Sequence, residues 1–224
     1  MALTESLIES QTAPVDNDAN LQQLVEEYDQ SWKANQVGTE EPPQLVYALQ
    51  ELLQPQARIL DLGSGPGRLS LPLAEAGFRV TAVDASPVAI SQLDTAANKR
   101  QLDIQARVGD ARRQPEADCY YDGLAVMFIL HHLDHQDALD LLTRARQQTQ
   151  PSGINAIATF SQQGDFYREN PHGGHYFPAT MQEFLEPYTD DGWEILNYAQ
   201  ETVPTPDGQR QNEVLRCLAR KNQL

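Results

Sequence analysis

A buried strand, a glycine-rich turn and the start of a helix follow one another in residues 59–69, which read Ile59-Leu60-Asp61-Leu62-Gly63-Ser64-Gly65-Pro66-Gly67-Arg68-Leu69. Glycine lets the backbone approach a ligand closely, and a turn that opens a helix presents free amide donors. At the first junction between a strand and a helix, such a turn is the nucleotide site of doubly wound α/β folds. The stretch therefore predicts a nucleotide-type ligand here.

Beyond this turn, strands alternate with helices. The predicted strands are residues 58–62, 79–84, 104–110, 122–130 and 154–160, and the predicted helices are 69–76, 87–102 and 137–150. A short helix, 181–188, and two strands, 193–202 and 213–220, with a turn at Pro206-Asp207-Gly208, follow. This order is typical of helices on both faces of a mostly parallel sheet. We predict an α/β, Rossmann-like fold with a mostly parallel seven-stranded sheet and an antiparallel C-terminal strand pair.

The chain divides into three predicted parts. Residues 1–20 are polar and aperiodic and predict a flexible tail. Residues 21–54 predict an N-terminal helical cap, broken at Gly38–Pro43, and residues 55–224 the ligand-binding domain. We interpret Tyr28 and Trp32 on the cap as packing against the sheet, with a lid over the ligand as the alternative. The aromatic segment 162–179 predicts a loop that closes over the ligand site.

Composition argues against several classes of partner. The chain has 32 acidic and 16 basic residues, a net charge of −16, which repels nucleic acid and anionic lipid. No apolar run reaches the length of a membrane span and no secretory signal is present, so we expect a cytoplasmic protein without a membrane partner. Cys119 and Cys217 have no neighbouring ligands, which predicts reduced thiols and no metal site.

The glycine spacing separates two kinds of ligand. A dinucleotide-binding turn has its third glycine three residues after the second, whereas here the glycines are at 63, 65 and 67. Asp61, two residues before the first glycine, favours a ligand with a cationic ammonium or sulfonium group, which is S-adenosylmethionine. A nicotinamide oxidoreductase is correspondingly disfavoured.

Carboxylates also end the next two predicted strands. Asp84 can accept hydrogen bonds from both hydroxyls of a ribose, and Asp110 can accept one from an adenine amino group. Each acid has a local alternative, because Asp61 can cap its loop and Asp84 or Asp110 can cap a helix. Their occurrence together at three successive strand ends favours the ligand site.

With these motifs, residues 43–220 resemble the class I S-adenosylmethionine-dependent methyltransferases. The resemblance implies the class I methyltransferase fold, S-adenosyl-L-methionine as cofactor and S-adenosyl-L-homocysteine as product. The cofactor-binding residues that it implies are Asp61, Gly63, Ser64, Gly65, Gly67 and Arg68 on the methionine side, Asp84 and Ala85 at the ribose, Asp110 and Ala111 at the adenine, and Met127 at the transferred methyl.

The C-terminal half resembles the tellurite-resistance methyltransferase group. The shared steps, in order, are Tyr176-Phe177-Pro178, Glu183-Phe184-Leu185, Gly192-Trp193-Glu194 and Asp207-Gly208-Gln209-Arg210. The chain departs from the group at Ser64 and Pro66, where the group carries Cys and Asn, and at Thr202-Val203-Pro204, where it carries a His-Arg pair. The resemblance implies a chalcogen oxyanion such as tellurite or selenite as methyl acceptor.

The candidate catalytic residues are His131, His132 and Arg210. His131 and His132 follow the fourth predicted strand, where one ring contacts substrate or, alternatively, caps the next helix. An oxygen or nitrogen acceptor that must lose a proton needs such a base, whereas a chalcogen lone pair needs none. Arg68 and Arg210 are candidates to attract an anionic acceptor.

Together these observations predict a methyltransferase that acts on a small-molecule acceptor, as a monomer or homodimer. Two alternatives stay open: a non-catalytic S-adenosylmethionine-binding regulatory module, and a methyltransferase for a small oxygen, nitrogen or sulfur metabolite.

Overall fold

The computed structural model describes residues 19–34, 44–115, 119–169, 175–205 and 208–223. The predicted tail, except for its last two residues, and the predicted break at Gly38–Pro43 lie outside these ranges. The same holds for the middle of the aromatic loop, residues 170–174, and for Pro206 and Asp207 of the final turn. The division of the chain into tail, cap and ligand-binding domain stays a prediction.

Seven helices and seven strands are present in the described ranges. The helices are α1 (Ala19–Ala34), α2 (Gln44–Leu52), α3 (Ser70–Glu75), α4 (Pro87–Arg100), α5 (His135–Gln147), α6 (Asp165–Glu169) and α7 (Met181–Leu185). The strands are β1 (Arg58–Leu62), β2 (Arg79–Asp84), β3 (Ile104–Val108), β4 (Tyr121–Met127), β5 (Thr149–Phe160), β6 (Trp193–Pro204) and β7 (Gln211–Lys221). Short 3-10 turns cover Ala111–Arg113, Leu130–His132 and Glu186–Tyr188.

The strands form one sheet in the order β3-β2-β1-β4-β5-β7-β6. The first five strands are parallel to one another, and β7 runs antiparallel to both β5 and β6. The strand order reverses between β1 and β4, and ligands of such sheets bind at this point, beyond the carboxyl ends of the strands. The predicted fold, including the antiparallel C-terminal pair, is confirmed.

Apolar side chains cover both faces of the sheet. Leu60 and Leu62 belong to a core shared with α5 and α7, whereas Ile59 belongs to a core shared with α2, α3 and α4. A strand buried on both faces is typical of parallel sheets. The aromatic residues that carry the C-terminal resemblance, Tyr176, Phe184, Tyr188 and Trp193, are all buried in the first core.

Several predicted boundaries differ from the structure, among them the end of β4 and the starts of α5 and β5. β4 ends at Met127 and not at Leu130, because Phe128 adopts a left-handed backbone conformation with φ of 58°. α5 begins at His135, since Asp134 caps it by accepting a hydrogen bond from the Asp137 amide. β5 begins at Thr149, ahead of the predicted Ile154, and runs through Pro151 and Gly153.

We expect Gly67→Ala to destabilise the protein more than Gly77→Ala. Both glycines have positive φ, so both substitutions carry backbone strain, but only a Cβ at Gly67 would meet neighbours, 2.5 Å from Leu93 Cδ1 and 3.0 Å from Leu71 Cγ. Crowding of this kind costs about 1–3 kcal/mol. Urea unfolding of the two variants measures the difference. Equal destabilisation would show that Leu71 of α3 and Leu93 of α4 do not limit the space beside Gly67.

Candidate cofactor and acceptor site

The glycine loop is held against the end of β2. The amides of Gly63 and Ser64 donate to the Val83 carbonyl at 2.8 and 3.2 Å, and the Gly65 amide donates to Asp84 Oδ2 at 2.7 Å. All three loop glycines have positive φ, which a side chain disfavours. The loop therefore follows a defined path over the carboxyl ends of β1 and β2, as the sequence predicts.

Asp61 is a buried carboxyl directly beneath this loop. It is 1% exposed, and the hydroxyl of Ser70 donates to its Oδ2 at 2.6 Å. Burial raises the pKa of Asp61 to about 6, the bond from Ser70 lowers it, and the nearby charge of Asp84 raises it further. A buried carboxylate is costly without a cationic partner, so this position suits a positively charged ligand group.

Asp84 accepts hydrogen bonds from the backbone of the glycine loop and from that of the segment after β2. Its Oδ2 accepts from Gly65, and its Oδ1 accepts from the Ser86 amide at 2.8 Å. Burial raises the pKa of this carboxyl, the two amide bonds lower it, and Asp29 raises it. Each carboxylate oxygen has a second lone pair, so Asp84 keeps the capacity to accept bonds from ribose hydroxyls. Ala85 lies half-buried beside it.

Asp110 has a local partner. Arg112 forms an ion pair with it, Nη2 to Oδ2 at 2.8 Å, and the Arg112 amide donates to Oδ1 at 2.9 Å. Asp110 thereby caps the turn Ala111–Arg113, which is the local alternative considered for it. Its contact with an adenine, like that of Ala111, stays a prediction.

His131 and His132 lie on the 3-10 turn that follows β4. The ring of His131 is buried among aromatic rings, with centroids 4.7 Å from Phe160 and 5.2 Å from Phe166. Within the described residues its Nδ1 is buried and has no hydrogen-bond partner. Burial lowers the pKa of His131 well below its usual value, and His132 and His175 lower it further. His131 is therefore a neutral imidazole at physiological pH.

The two candidate arginines lie at the surface near the carboxyl ends of the parallel strands. Arg210 is exposed beside the turn between β6 and β7, and its Nη1 contacts Glu169 Oε2 at 2.6 Å. Glu169 belongs to α6, which also carries Phe166 against His131. Arg68 is exposed at the end of the glycine loop. The structure thus places Arg210 next to α6 and Arg68 at the end of the glycine loop.

α1 crosses the surface between the glycine loop, the segment after β2 and the turn after β4, which we call the crevice, and this position favours a lid over packing against the sheet. A Cβ at Gly65 would lie 3.4 Å from Trp32 Cζ2, so the indole covers the glycine loop. The hydroxyl of Tyr28 lies 3.0 Å from His132 Nε2. The signal in the sequence was the Tyr28–Trp32 stripe itself, but nothing in it indicated which surface the stripe would cover.

Two further contacts hold α1 in place. The Ser86 hydroxyl donates to Asp29 Oδ1, and the side-chain amide of Gln92 donates to the Trp32 carbonyl at 2.9 Å. Ser86 is the N-cap of α4, and Gln92 lies in its second turn. α1 therefore contacts the glycine loop, the segment after β2 and the turn after β4, which are three walls of one crevice.

The described residues contain no helix with the length and apolar character needed to span a bilayer. Over the same ranges, no group of three or more histidine, cysteine, aspartate or glutamate side chains is arranged to hold a metal ion.

We expect Asp61→Asn to stabilise the protein at neutral pH and not at acidic pH. A carboxyl whose pKa rises on folding, here from 3.8 to about 6, binds its proton more tightly in the folded state. Stability is therefore lost as the pH rises through this interval, and the asparagine removes that loss. We expect a gain of about 1–3 kcal/mol at pH about 7.5, which vanishes near pH about 3, below the unfolded pKa.

Urea unfolding of wild type and variant at the two pH values measures this gain. Asp94→Asn, on the exposed face of α4, is the matched control and should show no gain at either pH. A gain from Asp61→Asn of the same size at both pH values would contradict the assignment of a raised pKa.

Comparison with known proteins agrees with this geometry. Residues 59–153 match the family model described as a methyltransferase domain. A ubiquinone biosynthesis O-methyltransferase from Xanthomonas campestris is 27% identical over 153 residues, covering 66% of this chain and 62% of that protein. Uncharacterised mycobacterial proteins are 30% identical over 115 residues, and the match covers 41% of their length, so the chain spans about two fifths of these relatives.

Solved structures share the fold at low sequence identity. TehB from Haemophilus influenzae has a TM-score of 0.71 at 22% identity, covering 87% of this chain and 67% of that one. The N-methyltransferase NodS from Bradyrhizobium japonicum, in complex with S-adenosyl-L-homocysteine, has a TM-score of 0.69 at 17% identity, covering 91% and 100%. Residues 59–153 thus match a methyltransferase domain, and the chain has the class I methyltransferase fold.

Proposed function

We propose that this protein transfers a methyl group from S-adenosylmethionine to a small-molecule acceptor. The observation that carries the proposal is the convergence of Asp61, the loop Gly63–Gly67 and Asp84 in one crevice beneath α1. The family match and the folds of known methyltransferases support it.

The donor set in the crevice fits the proposed cofactor. Asp61 offers a buried carboxylate to the cationic methionine end, and Asp84 offers carboxylate oxygens to the ribose. The indole of Trp32 lies against the backbone at Gly65, so a cofactor that approaches this backbone would also contact the indole. When bound, S-adenosylmethionine supplies an electrophilic sulfonium methyl group for in-line attack by a lone pair of the acceptor.

The residues of this chain would then align the acceptor with the cofactor and exclude water from the reaction. Trp32 and Tyr28 cover the crevice from the solvent side, and the neutral ring of His131 with Phe160 and Phe166 makes its acceptor side apolar. Alignment of two reactants in such a site can lower a barrier by about 7–11 kcal/mol.

We propose a chalcogen oxyanion, such as tellurite or selenite, as one acceptor. The resemblance of the C-terminal half to the tellurite-resistance group supports this choice, as does the fold shared with TehB. Such an acceptor attacks through its own lone pair and needs no base, which agrees with a neutral, buried His131. Arg68 and Arg210 would draw the anion towards a chain whose net charge is −16.

A small oxygen, nitrogen or sulfur metabolite is the second candidate acceptor. Two observations favour it: Arg210 already contacts Glu169, and the imidazole of His132, in contact with Tyr28, can offer a hydrogen bond to a neutral acceptor. Relatives that methylate oxygen or nitrogen by name are among the similar proteins.

Incubation with labelled S-adenosylmethionine and a panel of acceptors tests both candidates. The panel contains tellurite, selenite, thiols, phenols and small amines, and volatile and dissolved methylated products are both measured. Saturable cofactor binding without turnover of any member would favour the alternative, a non-catalytic regulatory module.

We expect Asp84→Ala to weaken binding of S-adenosyl-L-homocysteine by about 100-fold, since bonds to a charged acceptor are among the stronger hydrogen bonds. Isothermal titration calorimetry measures the affinity. Asp103→Ala is the matched control, because Asp103 is an exposed carboxylate at the start of β3, away from the crevice. Unchanged affinity in Asp84→Ala would refute the role of Asp84 at the ribose.

We expect Arg210→Ala to raise the KM for an oxyanion acceptor by about two- to fivefold and to leave the KM for a neutral thiol unchanged. The control is Arg220→Ala, which removes a comparable arginine, paired with Glu194, from the opposite end of β7. Steady-state kinetics with both acceptors gives the two constants. An equal rise of the KM for the thiol would show that Arg210 does not act by attracting the anion.

A further inference from the structure

The hydrogen bond between Tyr28 and His132 joins two segments that are far apart in the chain. Tyr28 lies on α1, and His132 lies 104 residues later on the turn after β4. The two rings also pack edge to face, with centroids 5.5 Å apart and an interplanar angle of 86°. The pair therefore has both a polar contact and a packing contact that orient the imidazole.

The surroundings of Tyr28 keep its hydroxyl protonated. Burial raises the pKa of Tyr28, and the charges of Asp84 and Glu27 raise it further. A protonated phenol can donate to Nε2 of a neutral imidazole, and it can accept from Nε2 when the imidazole is charged. The contact can thus persist when His132 gains or loses a proton.

The same helix carries Trp32 over the glycine loop, one turn after Tyr28. Placement of the indole over the loop and placement of the phenol against His132 are therefore coupled through a single rigid helix. Cofactor contacts and the orientation of the acceptor-side imidazole are linked by α1.

We propose that Tyr28 is a positioning residue that orients His132 when α1 covers the loaded crevice. The proposal rests on the proposed function, because it takes the turn after β4 as the acceptor side. Tyr28 donates to Nε2 of His132, which leaves the ring proton on Nδ1 and directs that atom away from α1. His132 thereby faces the acceptor in one tautomer instead of a mixture.

Nitrogen-15 NMR of histidine-labelled protein, at neutral pH with S-adenosyl-L-homocysteine bound, tests the tautomer. The chain has five histidines, and the signals of His132 are identified by their loss in His132→Gln. We expect the Nδ1–H form in wild type and a shift towards Nε2–H in Tyr28→Phe. Tyr47→Phe, an exposed tyrosine on α2, is the matched control and should leave the signals unchanged.

Fluorescence tests the coupling to α1. The chain has two tryptophans, so Trp193→Phe leaves Trp32 as the one reporter on α1. We expect the product S-adenosyl-L-homocysteine to change the emission of Trp32 saturably, and with the same affinity within about twofold in the Tyr28→Phe background. With an acceptor from the panel, Tyr28→Phe should lower kcat about tenfold and leave the KM for S-adenosylmethionine unchanged.

Several results would overturn the proposal. One is an unchanged His132 tautomer in Tyr28→Phe, and another is an equal shift in Tyr47→Phe. Loss of product binding in Tyr28→Phe would assign Tyr28 to the cofactor site itself. The NMR and fluorescence readouts need no turnover, so failure of the proposed function would appear separately, as an inactive protein whose His132 still responds to Tyr28.

Discussion

The hydrogen bond from the Gly65 amide to the Asp84 carboxylate holds the crevice together. The two residues are 19 positions apart, yet parallel pairing of β1 with β2 brings their strand ends side by side, with Leu62 opposite Val83. The bond fixes the glycine loop over Asp61 and at the same time aims Asp84 across the crevice. α1 then has a defined surface to cover, because Trp32 packs on the loop that this bond has placed.

This arrangement also favours S-adenosylmethionine over a dinucleotide. In a pyrophosphate site, the loop amides stay free to donate to phosphate oxygens. Here the Gly65 amide is already bonded to a carboxylate, and Asp61 and Asp84 lie close enough to raise the pKa of Asp61. Two neighbouring carboxylates repel a pyrophosphate and attract a cation. The third glycine also comes too early for a dinucleotide-binding turn. The sequence and the charges of the folded site therefore both disfavour a pyrophosphate.

The sheet was predictable because its signals are local. The glycine turn, the start of α4 at Ser86 and the alternation of strands and helices each depend on a few neighbouring residues. Asp110 was harder, since a carboxylate that caps a turn and one that binds adenine occupy the same position in the sequence. The end of β4 was misjudged because the apolar run continues past Phe128, whose left-handed backbone ends the strand. The docking of α1 depends on contacts across 104 residues, which no local pattern encodes.

The proposed acceptor side has a neutral interior and a charged rim, and this difference affects where an anionic acceptor can bind. The interior is His131 among aromatic rings, whereas the rim has Arg210 in contact with Glu169, and α6 joins the two through Phe166. An anion that competes with Glu169 for Arg210 would gather at the rim, but the interior offers no described positive charge to draw it deeper. On the proposed function, an oxyanion would therefore react close to this rim, whereas a neutral acceptor could reach the apolar interior, and the contact with Tyr28 holds the His132 imidazole in one orientation.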